Sequence, residues 1–273
     1  MTRHVMLATD VNMLPYALTA IYSLAVNVVN PTDYVVTLVV DGDVEQAQHD
    51  VDKLDKQGVY VRVVPMTKRL RACTPFVDRL TLPTFARLEL CDYVSLDVDR
   101  VLYIDADVLI VDELDELFTA PMDNICALVV HERGHAFSEK FNAGVLMINM
   151  NTWRALNVTE LACKMAIDGG VTSDEDILNF VLHDHVRFVS CVYNYSMFDQ
   201  FCMRLQDFWR NYADGRRDLR IVHYQGDKKP WDNPRMDLGA LYTMYANRCV
   251  DKDKQNVLIK LFTRWGNEAV VDC

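Results

Sequence analysis

An α/β protein built around a largely parallel sheet follows from three features of this sequence. Short β-branched runs alternate with polar-faced helical stretches over residues 4–64, the spacing that crossover helices require. Asp10, Asp105 and His223 each sit at the end of a strand-like run, where open α/β sheets bind their ligands. No internal repeat, low-complexity stretch or linker interrupts the 273 residues, so residues 1–273 are expected to form a single domain.

Residues 4–9 read as a buried strand ending in the polar cluster Thr9-Asp10-Val11-Asn12. Residues 14–28 place Leu18, Ile21, Tyr22 and Ala25 on one helical face. A β-branched strand at 34–40, a polar-faced helix at 44–56 and a strand at 59–64 complete the opening alternation. Residues 66–80 lack periodicity and contain Pro75, which marks a loop long enough to act as a lid. A short helix at 83–90 and a strand at 100–104 lead into Asp105-Ala106-Asp107. Strands are expected at 125–130 and 143–149, and Asn149 or Asn151 can cap a helix running to about residue 167. The last third reads as a helix at 174–182, strands at 186–189 and 219–224, a loop at 226–237, and helices at 238–250 and 252–265.

The net charge is −11 and the isoelectric point is about 5.0. No cationic stripe for a phosphate backbone is present, which argues against a nucleic-acid partner. That balance suits a protein that recruits a divalent cation to hold an anionic substrate. Residues 1–12 lack the apolar core of a secretory signal, and no apolar run reaches the roughly 18 residues of a bilayer span. A cytoplasmic protein with no transmembrane segment is therefore expected. The eight cysteines (73, 91, 126, 163, 191, 202, 249 and 273) are irregularly spaced without a CxxC, so zinc is not expected and free thiols are.

Neither a GxGxxG nor a GxxxxGK[ST] segment occurs, so a bound diphosphate needs some other source of positive charge. A divalent metal on carboxylates is one such source. Asp-x-Asp occurs six times, at 41/43, 50/52, 97/99, 105/107, 174/176 and 251/253. The pair at 105/107 differs in being flanked by Val101-Leu102-Tyr103-Ile104 and Val108-Leu109-Ile110-Val111. Burying two carboxylates there is costly without a counter-charge. In extended chain, residues i and i+2 face the same way, so both can converge on one cation. A metal pair and a surface turn both fit. His223 reads either as a packed core histidine or as a third ligand, and an imidazole beside two carboxylates favours Mn²⁺ over Mg²⁺. Lys229 is a solvated loop lysine or a phosphate partner. Ser173 before Asp174-Glu175-Asp176 is by itself a helix-capping pattern, and Asn142 and Gly144 by themselves suit a turn.

Taken together and in order, these segments resemble glycosyltransferase family 8, which includes bacterial lipopolysaccharide and lipooligosaccharide hexosyltransferases and, more distantly, glycogenin. The resemblance runs from about residue 5 to residue 232. Ala8-Thr9-Asp10-Val11-Asn12 is similar to the segment that contacts uracil and ribose, and Phe85-Ala86-Arg87-Leu88 to one whose arginine reaches the donor sugar. Tyr103-Ile104-Asp105-Ala106-Asp107 is similar to the metal-binding segment, with Ile104 and Ala106 beside the nucleotide. Phe141-Asn142-Ala143-Gly144-Val145-Leu146, with Asn149 and Trp153-Arg154, matches a sugar-contacting signature. Asp174-Glu175-Asp176 falls where the family carries Asp-Gln-Asp beside the anomeric carbon. His223-Tyr224-Gln225-Gly226 with Lys229-Pro230-Trp231 matches the closing motif, in which the histidine completes the metal site and Gly226 and Lys229 meet the diphosphate.

The resemblance implies a GT-A type domain with a mixed, mostly parallel central sheet flanked by helices. A Rossmann-like nucleotide-binding half would take about residues 1–110, a sugar and acceptor half about 111–250, and a helical tail 251–273. It also implies transfer of glucose or galactose from a UDP-hexose, with retention, to an acceptor hydroxyl on a lipid, a protein or a free sugar. Asp105, Asp107 and His223 would hold Mn²⁺, with Mg²⁺ as the second choice. Arg87, Asn142, Ala143, Gly144, Asp174 and Glu175 would surround the sugar, with Asp174 and Glu175 at the reacting carbon. Glu175 departs from the family's Gln, which leaves open a nucleophilic or a purely electrostatic role. The acceptor would meet residues 66–80 and 131–140. A UDP-sugar hydrolase and a non-catalytic nucleotide-sugar or glycan-binding protein on the same fold are the alternatives.

Overall fold

The computed structural model describes residues 2–70, 81–132, 139–169, 173–196, 205–213 and 219–250. Residues 71–80 of the expected lid, residues 133–138 of the acceptor stretch and the tail at 251–273 lie outside them. The chain divides after Gln225, and a second unit begins at Gly226.

The first unit holds a seven-stranded sheet. Its strands are β1 (Arg3–Asp10), β2 (Tyr34–Asp41), β3 (Tyr60–Pro65), β4 (Arg100–Ile104), β6 (Ala127–His131), β7 (Phe141–Asn149) and β8 (Val186–Phe188), while β5 (Val108–Ile110) and β9 (Ile221–His223) form a separate pair. The large sheet has the order β3-β2-β1-β4-β7-β6-β8. Strands β3, β2, β1 and β4 run parallel, whereas β7 runs antiparallel to both β4 and β6, and β8 is parallel to β6. The sheet is thus mixed and mostly parallel, with the reversal confined to β7. Strand β1 is buried along Val5–Thr9, as expected where helices cover both faces of a parallel sheet.

The helices among the described residues of this unit are α1 (Leu14–Asn27), α2 (Val44–Lys53), α3 (Leu90–Tyr93), α4 (Asp115–Thr119), α5 (Met150–Ala155), α6 (Val158–Asp168), α7 (Asp174–Val181) and α8 (Leu205–Ala213). Helix α1 starts with Pro15 in its first turn, where a missing N–H leaves no bond unmade. Its buried Ser23 accepts the Ile110 N–H at 2.9 Å, and Asn27 donates to the Ile110 carbonyl at 3.0 Å. Two polar side chains on a helix thereby hold β5 in place. The short helix expected at 83–90 is a 3-10 helix, Leu82–Glu89, continuing into α3.

The single helix expected to run to residue 167 is two helices. Asn149 caps α5 by accepting the N–H groups of Asn151 and Thr152. Asn157 then adopts a left-handed conformation (φ +54°) and breaks the run before α6. Asn tolerates that conformation better than most residues. Trp153 is fully buried and donates its indole N–H to Thr159 at 2.9 Å, an arrangement that stabilises by about 2–3 kcal/mol through burial alone.

One expectation fails here. Cys191 is disulfide-bonded, whereas free thiols were expected, because spacing alone carries no information on which sulfurs the fold brings together. Cys91, Cys126 and Cys163 are free. No described helix is long and apolar enough to cross a membrane.

Candidate functional site

The site grows from the carboxyl end of β4. After Ile104 the chain turns through Asp105-Ala106-Asp107 and enters β5, which pairs antiparallel with β9 in the register Val108↔His223. The Tyr224 N–H also donates to the Asp107 carbonyl at 3.0 Å. This ladder sets His223 beside the two aspartates: its Nε2 lies 3.3 Å from Asp107 Oδ1 and 3.7 Å from Asp105 Oδ2. One ligand atom from each of the three lies within 4.8 Å of the others. Two carboxylate oxygens and an imidazole nitrogen at that spacing fit a divalent transition-metal cation.

Gly144 of β7 is the floor of this cluster. A Cβ at that position would lie 2.1 Å from His223 Cε1 and 2.7 Å from Asp105 Oδ2. Any side chain there would displace His223 and Asp105, so the need for glycine is one of close approach.

Arg87, 4% exposed, braces the cluster from behind. Its guanidinium meets Asp105 at 2.6 Å and Asp174 at 2.9 Å, and it donates to the carbonyls of Ala143 at 2.6 Å and Thr84 at 2.9 Å. Tyr103 adds a hydroxyl to Asp105 at 3.2 Å and a ring 4.8 Å from the guanidinium carbon. Burial opposes the charge on Arg87, but the facing carboxylates of Asp105 and Asp174 outweigh it and hold the group above its ordinary value. Burial likewise raises the Asp174 carboxyl, and Arg87 pulls it part of the way back.

Asp174 and Glu175 open α7. Ser173 caps this helix by accepting the Asp176 N–H at 3.0 Å, so the capping pattern and the site occupy the same residues. Glu175 Oε2 accepts from the Asn142 side chain and from the Ala143 N–H, both at 2.8 Å. Its carboxyl is pushed up to about 7, chiefly by burial and also by Asp174, against the pull of the Ala143 N–H. The Asn142 oxygen accepts the Gly144 N–H at 3.0 Å and the Asn194 amide at 2.8 Å, and Asn194 Oδ1 meets His223 Nδ1 at 2.8 Å. A continuous set of contacts therefore runs from Glu175 to the Asp105–Asp107–His223 cluster.

Asp105, Asp107, His223, Arg87, Asn142, Ala143, Gly144, Asp174 and Glu175 are thus brought together. Ala8, Thr9 and Ile104 are buried at the carboxyl ends of β1 and β4, and Ala106 lies between the two aspartates. Asp10 is not one of the three clustered ligands. Its Oδ1 accepts the N–H groups of Asn12 and Met13, each at 2.8 Å, and fixes the turn into α1, while Asn12 itself is exposed. Gly226 (φ +84°) and Lys229 belong to the second unit, where Lys229 lies over the Trp231 ring at 5.8 Å and Trp231 packs on Tyr242 of α9 (Gly239–Val250). Asn194, Tyr103 and Gln225 join the site without having been singled out as ligand-contacting residues. Tyr103 and Gln225 carried a signal, each two residues from an expected ligand within a motif segment, whereas Asn194 carried none.

Comparison with known proteins bears on the fold and the family. A lipopolysaccharide 1,3-galactosyltransferase of Salmonella typhimurium is 32% identical over 179 residues, covering 58% of this chain and 51% of that protein. The lipopolysaccharide glucosyltransferase WaaO of Escherichia coli is 29% identical over 212 residues, covering 70% of this chain and 61% of WaaO. The chain spans about half the length of the first curated relatives it matches. An active-site mutant of LgtC superposes with a TM-score of 0.75 at 22% identity, over 91% of this chain and 96% of that one. The galactosyltransferase LgtC in complex with donor and acceptor sugar analogues gives 0.73 at 22% identity over the same shares. These likenesses bear out the GT-A type fold. Residues 4–234 match Glycosyl transferase family 8, a span that includes every residue of the site described above, and the chain belongs to that family.

Proposed function

We propose that this protein is a retaining hexosyltransferase that moves glucose or galactose from a UDP-hexose to an acceptor hydroxyl and depends on Mn²⁺. The observation that carries the reading is the Asp105–Asp107–His223 cluster, its donor atoms within 4.8 Å of one another and closed on one side by Gly144. Bound to these three residues, a divalent cation would supply Lewis-acid neutralisation of the departing diphosphate. Galactosyl- and glucosyltransferases among the relatives favour a hexose donor.

The other steps belong to the chain. Arg87 pairs with Asp105 and Asp174 and fixes the orientation of both side chains. Asn142 and the Ala143 N–H hold Glu175 at a fixed point near Asp174, and we assign that point to the face of the sugar opposite the leaving UDP. A carboxyl poised near neutrality there can carry negative charge when the anomeric carbon becomes electron-poor. We assign Ala8, Thr9, Asp10, Asn12, Ile104 and Ala106 to the nucleoside, and Gly226 and Lys229 to the diphosphate. The acceptor is a glycan carried on a lipid, on a protein, or as a free sugar.

The test is UDP release from UDP-glucose and UDP-galactose, with Mn²⁺ and with chelator, for the wild type and Asp107→Asn. Metal-dependent turnover of one donor, abolished by the substitution, is expected. Product analysis with added sugars separates transfer from hydrolysis. Absence of any UDP binding would overturn the reading, and tight UDP binding with no turnover on any acceptor would favour a non-catalytic binding protein.

A further inference from the structure

We propose that Asn194 is a positioning residue for the metal site. A hydrogen-bond relay of fixed polarity runs from the Gly144 N–H through Asn142 and Asn194, and it selects the His223 tautomer whose Nε2 lone pair faces Asp105 and Asp107. This inference rests on the proposed metal-binding reading of those three residues.

Each link forces the next. A backbone N–H can only donate, so the atom 3.0 Å from Gly144 N must be the Asn142 oxygen. The other end of that amide is then NH₂, which agrees with its 2.8 Å contact to the Glu175 carboxyl. A second group 2.8 Å from the same Asn142 oxygen must also donate, so it is the Asn194 NH₂. That leaves the Asn194 oxygen facing His223 Nδ1 at 2.8 Å. An oxygen there requires Nδ1 to carry the hydrogen, which leaves Nε2 bare, 3.3 Å from Asp107 and 3.7 Å from Asp105. Gln225 also approaches Nδ1, with its amide nitrogen Nε2 placed 3.3 Å away, an arrangement that suits a protonated Nδ1 only when the amide is turned over. Either of its two amide orientations is open to it, and the one with oxygen toward His223 adds a second acceptor.

The backbone explains why Asn194 is in reach. The Tyr195 N–H donates to the Ile221 carbonyl at 2.9 Å, and the His223 N–H donates to the Tyr195 carbonyl at 2.8 Å. The segment around Asn194 is therefore strapped alongside β9. Asn194 is 1% exposed, so bulk water does not stand in for its amide. A buried acceptor on the non-ligating nitrogen is the usual means of orienting a metal-bound histidine. Here that acceptor is tied through Asn142 to the carboxylate Glu175, which couples the metal side of the site to the sugar side.

The experiment is ¹⁵N-histidine NMR of the metal-free protein at alkaline pH, paired with Mn²⁺ titration by electron paramagnetic resonance. The wild type, Asn194→Ala, Asn194→Asp and His223→Ala are compared. The wild type is expected to show His223 as the Nδ1–H tautomer. Asn194→Ala is expected to lose that preference and to bind Mn²⁺ about 10–100-fold more weakly. Asn194→Asp keeps an acceptor for His223 Nδ1 but loses the NH₂ that meets the Asn142 oxygen, so it is expected to restore the tautomer and only part of the Mn²⁺ affinity. An Nε2–H tautomer in the wild type overturns the relay whether or not any variant folds. An unchanged tautomer and unchanged Mn²⁺ affinity in Asn194→Ala, with affinity lost in His223→Ala, overturns the relay and leaves the metal site standing. A wild type that binds no Mn²⁺ overturns the metal reading, while the tautomer still reports on the relay by itself.

Discussion

Replacing Arg87 by methionine removes a guanidinium wedged between two carboxylates while keeping an unbranched apolar stem. Arg87 and Asp174 are almost wholly buried, whereas the Asp105 side chain retains 25% of its exposure. Breaking a buried pair from one side costs about 3–5 kcal/mol, because the remaining charge is left without compensation. Partial exposure of Asp105 points to the lower end, about 3 kcal/mol. The carbonyls of Ala143 and Thr84 also lose the guanidinium donor, which keeps the loss from falling much below that figure. For a chain of this size, about 3 kcal/mol corresponds to a melting temperature lower by roughly 6–12 °C. The assay is thermal and urea unfolding of the wild type, Arg87→Met, Asp174→Asn and the double variant, without metal. Neutralising Asp174 removes one of the two stranded charges, so the double variant should be more stable than the summed single losses predict, by about 1–3 kcal/mol. Additive losses, or a single-variant loss below about 1 kcal/mol, would refute the account of Arg87 as a counter-charge.

Three further outcomes are expected. Gly144→Ala drives a Cβ to within 2.1 Å of His223 Cε1; it should destabilise by about 1–3 kcal/mol and weaken Mn²⁺ binding at least about tenfold, and unchanged Mn²⁺ titrations would count against the placement of His223. The Glu175 carboxyl, raised from 4.5 to about 7, binds its proton more tightly in the folded chain, so the stability it confers is complete below 4.5 and is lost as pH rises through about 7. Glu175→Gln should shrink the loss of stability between about pH 5 and pH 8 by on the order of 2 kcal/mol, measured by urea unfolding at each pH, and equal losses in both proteins would contradict the burial of this group. Asn149→Ala removes the cap of α5 and should cost about 1 kcal/mol without changing UDP-hexose turnover, so a selective fall in turnover would reveal a sugar-side role for Asn149.

Much of the sheet was legible because β1, β2, β3 and β4 are short, apolar and regularly spaced, and their pairing order follows from crossover rules. The direction of β7 was not, since strand polarity depends on how the chain returns through residues that carry no periodic signal. Strand β5 was hidden for a related reason: Val108–Ile110 looks like a continuation of the apolar flank and becomes a strand only by pairing with β9. Asp105, Asp107 and His223 stayed open between ligand and turn or core readings on residue chemistry alone, and only the resemblance to the family joined them as one expected metal site. Asn194 was not legible, because a lone asparagine in an aperiodic stretch gains its meaning from the bridge between Tyr195 and Val222. At Ser173 a capping pattern and a site segment coincide, and local chemistry cannot tell them apart.

The ladder between β5 and β9 also sets an order of events. Asp112 and Arg220, an ion pair just beyond it, are 108 positions apart, so during synthesis both aspartates leave the ribosome long before His223 exists. The parallel strands can assemble around β1 while β5 still lacks its partner, and closing so long a loop is the slow, non-local step. On the proposed metal reading, a cation that needs all three side chains would bind only after that closure. It would then act as a latch on the last strand to dock, and chelation should first loosen β9 rather than the central sheet.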